Sequence, residues 1–204
     1  MHRRSMRPGH LAILVAAVFA AVGAGAEDTR WHVAHADLHV LCPLTVGGSF
    51  EAKTSALDGT LALTALSPAV LSGELTVDLG TLDTGIGLRN EHMKSEYLGI
   101  GKGDGYDQAV LSQIQLRDVA SAGFQGRTGF SATLRLHGTT REVSGQSEIR
   151  RDGTSLRIEA TFPVTLADYG IPKPQYLGVG VKSEVQVKVN MAVSMQAAVA
   201  NASR

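Results

Sequence analysis

The side chains with chemistry to offer are few. His35, Asp37 and His39 alternate along one segment, so on a strand all three project from one face and could approach a cation. On a straight strand such neighbours stand about 7 Å apart, too spread for a compact tetrahedral site. The opposite phase, Ala34, Ala36, Leu38, Val40 and Cys42, is apolar, which equally makes the three polar residues a wet outer face. Cys42 is the single cysteine, so no disulfide within the chain is available. It lies on the apolar phase just before Pro43, where it is either a small buried hydrophobe or a reactive thiol. Arg89 and His92 fall in a stretch of helical spacing, and His137, Thr139, Thr140 and Arg141 surround a turn. Each group could meet the polar head of a ligand or simply tie loops together. Tyr169 and Tyr176 flank a proline-bearing turn, Ile171-Pro172-Lys173-Pro174, and could line a cavity mouth or pin that turn. The chain has no Gly-x-Ser-x-Gly elbow and no His-Glu-x-x-His helix, and Gly101-Lys102 is followed by Gly103 rather than Ser or Thr. Acyl transfer at an elbow, zinc proteolysis and a phosphate cradle therefore have no motif behind them, and the reading is that of a binding protein without catalysis.

The elements that must position these residues are strands. Leu156, Ile158, Ala160, Phe162, Val164 and Leu166 alternate with Arg157, Glu159, Thr161, Pro163 and Thr165, which predicts one dry face and one wet face. Val185, Val187, Val189, Met191, Val193 and Met195 do the same, as do Phe130, Ala132, Leu134 and Leu136, and Leu71, Gly73, Leu75, Val77 and Leu79. Val110, Ile114 and Leu116 are read as one phase of a further strand. Asp58-Gly59, His137-Gly138 and Asp152-Gly153 read as hairpin turns between runs. About eight strands result. Residues 85–98 break the alternation, with Leu88, Arg89, His92, Met93 and Tyr97 at helical spacing and Asp83 or Thr84 as a cap. Apolar faces on long strands need a sandwich or a closed barrel. The length of the strands favours an eight-stranded antiparallel barrel, and the prevalence of Val, Leu, Ala and Gly on the inward phase leaves room for a dry cavity.

The chain has 204 residues with 19 basic and 19 acidic side chains. Its first 26 residues read as a secretory signal peptide: a head bearing Arg3, Arg4 and Arg7, an apolar run from Leu11 to Val22, and the small residues Ala24-Gly25-Ala26 before the expected cut. That run is too short for a transmembrane helix, which needs about 20 residues. Loss of the three leader arginines leaves residues 27–204 as one mildly acidic domain, with no electrostatic footprint for nucleic acid. The expected location is the periplasm.

Several stretches together resemble the YceI-like family. They are Val77-Asp78-Leu79-Gly80-Thr81-Leu82-Asp83-Thr84 with Leu88-Arg89-Asn90-Glu91-His92-Met93-Lys94, then Leu134-Arg135-Leu136-His137-Gly138-Thr139-Thr140-Arg141, then Asp168-Tyr169-Gly170-Ile171 with Val181-Lys182-Ser183-Glu184-Val185. The chain departs from the family's usual pattern at Asn90, where Asp is common, and at Met93, where Leu is. The resemblance implies a lipocalin-like barrel that binds a polyisoprenoid, quinone-like molecule or other long-chain amphiphile, with no other cofactor required. Leu38, Val40, Cys42, Leu75, Val77, Ile114, Leu134, Leu136, Ile158, Phe162, Val187 and Val189 would then line the pore. Leu88, Arg89, His92, Met93 and Tyr169 would stand at its mouth. An alternative implied role is a periplasmic partner of a membrane b-type cytochrome or other redox complex; either role suits a monomer or a homodimer.

Overall fold

The computed structural model describes residues 30–66, 69–103, 105–117, 125–176 and 179–195. The expected leader, and the chain end after Met195, lie outside the described residues, as does the side chain of Tyr176. The strands are β1 Arg30–Pro43, β2 Ser49–Thr54, β3 Leu57–Leu66 and β4 Ala69–Asp78, then, after a helix α1 Gly87–His92, β5 Gln108–Leu116, β6 Gly126–Leu136, β7 Thr139–Asp152 and β8 Ser155–Thr165. Two short strands, β9 Gln175–Tyr176 and β10 Val179–Gly180, pair with each other before β11 Glu184–Met195. Every pairing is antiparallel, and β1 closes the ring by pairing with β11 on one side and β3 on the other. The result is a closed eight-stranded barrel of β1, β3 to β8 and β11. β2 extends the wall along the second half of β1, from Leu38↔Thr54 to Pro43↔Ser49.

The alternation sets which residues face inward. On β11, Val185, Val187, Val189, Met191 and Val193 are all buried while their neighbours are not, and β8 repeats this with Leu156, Ile158, Phe162 and Val164. Two bulges alter the expected phase. On β1 the register shifts between Val33 and His35, so Ala34 is exposed and Trp31 and Val33 take the inner positions above the shift. On β5 the register shifts between Ser112 and Gln115, with Gln113 at φ 52. One extra residue there reverses the side-chain phase, so Ala109 and Leu111 share the interior with Ile114 and Leu116, and Val110 is buried outside the core cluster.

The turns are partly as expected. His137 and Gly138, at φ 50 and 70, make the two-residue β6–β7 hairpin that right-twisted strands favour. Gly153 at φ 62 opens the β7–β8 hairpin. Asp58-Gly59 is not a turn. Gly59 lies within β3, at φ 149 against the Glu74 carbonyl, where a Cβ would overlap backbone.

At one end of the barrel Trp31, Ala69, Leu156 and Val193 are packed shut. At the other end lie the β1–β2 turn, α1, a π-helical turn Met93–Tyr97, the β6–β7 hairpin and the β9–β10 ribbon. Asp83 and Thr84 do not cap α1, whose N-cap position is Ile86 with no side-chain bond. They bind Asn90 instead. The Asn90 Oδ1 accepts from the Thr84 backbone N–H at 2.8 Å and its hydroxyl at 2.7 Å, and Nδ2 donates to Asp83 at 2.6 Å. Without a cap or a buried residue of its own, α1 is held by this clamp and by the π-helical turn that continues it.

Candidate functional site

The barrel contains two chambers that share Val40, Leu79, Leu82 and Leu136 as common wall. The inner chamber, about 150 Å³, sits within the barrel. Leu38, Val40, Leu75, Val77, Ile114, Leu134, Leu136, Ile158, Phe162, Val187 and Val189 all line it, as the strand phases predict. Among the described residues Ser147 is the one hydroxyl in that wall, and the other side chains, the Met191 thioether included, are apolar. Phe130 and Phe162 meet edge to face across it, 5.8 Å between centroids. Gly145 lies close by on β7, where a Cβ would overlap the Thr161 carbonyl oxygen and meet the Phe162 Cβ at 2.7 Å and the Phe130 ring at 2.9 Å.

The outer chamber is larger, about 640 Å³, and is walled by the mouth elements. Cys42, Leu88, Arg89, His92 and Met93 line it, together with Phe50, Leu82, Ile86, Leu98, Ile171 and Val181, which the alternation argument did not reach. Those residues sit in turns, in the mouth helix or on β2. The only signal for them is the presence of large apolar residues in segments that ought to be polar.

Polar groups are sparse there. Arg89 lays its guanidinium over the Phe50 ring, 4.2 Å from the centroid, a cation–π arrangement that suits a cation in apolar surroundings. Among the described residues no carboxylate lines either chamber. His92 points Nε2 toward Glu96 Oε1 at 4.0 Å, one helical turn on. Tyr97 and Gln175 bond each other, the Gln175 backbone N–H donating to the Tyr97 hydroxyl at 3.3 Å, which ties the π-helical turn to the ribbon. The Cys42 thiol contacts the Val40 carbonyl at 3.7 Å. Burial pushes its pKa up to about 11, against the smaller opposing pull of the Arg89 charge. It is therefore a protonated, hydrophobic wall atom at neutral pH rather than a nucleophile.

Several candidates fall elsewhere. Tyr169 lines neither chamber; it is 2% exposed in the core, its hydroxyl has no partner among the described residues, and burial raises its pKa, with Asp168 adding to the rise. Its position in the turn that follows β8, rather than in the wall, explains the difference. His137 bonds the Tyr169 carbonyl through Nδ1 at 2.9 Å and stacks edge-on against Tyr106 at 4.7 Å, so the hairpin residue locks loops. His35 turns to Asp37 at 3.3 Å, whereas His39 turns to Glu51 on β2 at 3.3 Å. The three do not converge, and no group of three metal-ligating side chains is assembled among the described residues.

The arrangement is thus two abutting apolar chambers, with the Arg89 guanidinium and the His92 imidazole in the lining of the outer one. It can hold an elongated hydrocarbon and meet a polar end, and it offers no activated nucleophile.

Comparison with known proteins agrees on the fold. No match is found among curated proteins. A polyisoprenoid-binding domain from Saccharophagus degradans superposes with a TM-score of 0.58 at 18% identity, over 81% of this chain and 98% of that one. BcnA of Burkholderia cenocepacia gives a TM-score of 0.61 at 15% identity, over 77% and 95%. The YceI-like domain matches residues 27–193, nearly the whole of the barrel, and the chain belongs to that family.

Proposed function

We propose that the protein is an exported, non-catalytic carrier that holds a polyisoprenoid or similar long-chain amphiphile in its barrel. The observation that supports this reading best is the apolar lining of the two abutting chambers, the outer of which holds Arg89 and His92. Burial of hydrocarbon gives about 0.8 kcal/mol per methylene, so a ten-carbon tail offers roughly 8 kcal/mol before the costs of association. Affinity can come from the tail alone. The few polar groups of the mouth, Arg89 above all, then orient the head group. The structural similarity to a polyisoprenoid-binding domain points the same way. The signal-peptide pattern of residues 1–26 supports a periplasmic location.

The test is titration of the purified domain with farnesol, read by displacement of an environment-sensitive apolar dye. Stoichiometric displacement that weakens when Leu134 or Val187 is replaced by Asp supports the carrier. Absence of displacement by farnesol and by longer prenols contradicts it.

A further inference from the structure

We propose that the closed end of the barrel is a chain-length stop that limits the enclosed tail to about six isoprene units. The inference rests on the carrier reading and adds the length of the ligand to it. An apolar cavity of about 150 Å³ stays dry and admits one benzene-sized group, about six carbons. The inner chamber has that volume, so it accommodates the terminal isoprene unit of a tail and little more. At the same allowance, about 25 Å³ per carbon, the outer 640 Å³ holds about 25 carbons. The two chambers, which abut at Val40, Leu79, Leu82 and Leu136, together have room for about 30 carbons.

Among the described residues, nothing extends this space at the closed end. Trp31, Ala69, Leu156 and Val193 are 5%, 1%, 2% and 1% exposed, and none of them lines either chamber. They form a packed floor, and interiors of that density do not yield to one more methylene without strain. The side wall is fixed as well. The Phe130 ring lies against Gly145, which leaves it no space to retreat toward β7, and the Phe162 ring meets it edge to face. Ala160, a small residue in the inner wall, marks where the space can be reduced.

The experiment measures apparent affinity for a series of all-trans prenols, from geraniol through farnesol, geranylgeraniol and hexaprenol to solanesol, with the wild-type domain and Ala160→Phe. Affinity should rise with each unit to hexaprenol and then change less than threefold to solanesol. Ala160→Phe should move the plateau about one unit shorter. Phe162→Leu, which enlarges the same chamber, should move it longer and keeps the question open to test if Ala160→Phe does not fold. A tenfold gain from hexaprenol to solanesol in the wild type, or a plateau unmoved in both folded variants, overturns the stop while leaving the carrier intact. No binding at any length overturns the carrier itself.

Discussion

The thiol of Cys42 reports on the outer chamber, and its reactivity can be worked out from its surroundings. Burial raises its pKa from 9.0 to about 11, which lowers the thiolate fraction at pH 8 about a hundredfold. The more basic thiolate is also the better nucleophile, by about eightfold for a Brønsted slope near 0.45. Alkylation by iodoacetamide should therefore run about tenfold slower in the folded chain than in the same chain unfolded in denaturant. Confinement in the chamber lowers the rate further, so tenfold is a floor. Because Cys42 lines the chamber, a saturating prenol should slow the reaction again. Arg89→Ala removes the neighbour that favours the thiolate and should slow the empty protein as well. The same shift has a stability consequence. A folded-state pKa above the unfolded value means that the folded chain holds its proton longer, so this contribution is complete below pH 9 and is lost as pH rises toward 11. The thermal midpoint of the wild type should fall over that window more than that of Cys42→Ala. Rates are read from intact mass, which is unambiguous with a single cysteine. A folded-state rate equal to the unfolded one, or one indifferent to prenol, refutes the placement of the thiol.

Three further outcomes follow from individual contacts. Gly145→Ala forces a Cβ against the Thr161 backbone carbonyl, the Phe162 Cβ and the Phe130 ring and should cost about 1–3 kcal/mol or more by overpacking, measured as a lower denaturant midpoint at unchanged slope; no loss would show that the β7 and β8 backbones have room to separate. Asn90→Asp sets a second carboxylate beside Asp83, whose own carboxyl is held below its ordinary pKa chiefly by the Asn90 amide. That variant should lose stability at pH 7 relative to wild type and recover it as pH falls and the pair takes up a proton, followed by thermal melts across the acid range. Tyr169→Phe removes a buried hydroxyl that has no partner among the described residues and should leave stability equal or raise it by about 1 kcal/mol; a clear loss would reveal a bond to that hydroxyl.

The strand series was readable because burial on one face imposes a period of two, and β8 and β11 show it without interruption. The bulges were not readable. A bulge adds a residue without changing composition, so Ala34 and Val110 look inward-facing by count and are turned away by register. Gly59 was misread for a related reason: a glycine that admits a neighbouring carbonyl within a sheet has the same letter as one that turns a hairpin. The inner wall followed the strands and was therefore legible residue by residue, Leu38 and Phe162 among them. At the mouth the helical spacing puts Arg89 and His92 on the helix that lines the outer chamber, while Phe50, Ile171 and Val181 depend on how loops fold over one another, which no local period encodes. The division into two chambers is likewise a property of packed volumes rather than of any one segment.

The most direct measurement is organic extraction and mass spectrometry of the protein purified natively from a bacterial periplasm. A single class of long-chain molecule at about one per chain, with an enclosed hydrocarbon of about 30 carbons or fewer, is the expected result. A protein that comes out empty and takes up no added prenol would contradict the carrier reading outright.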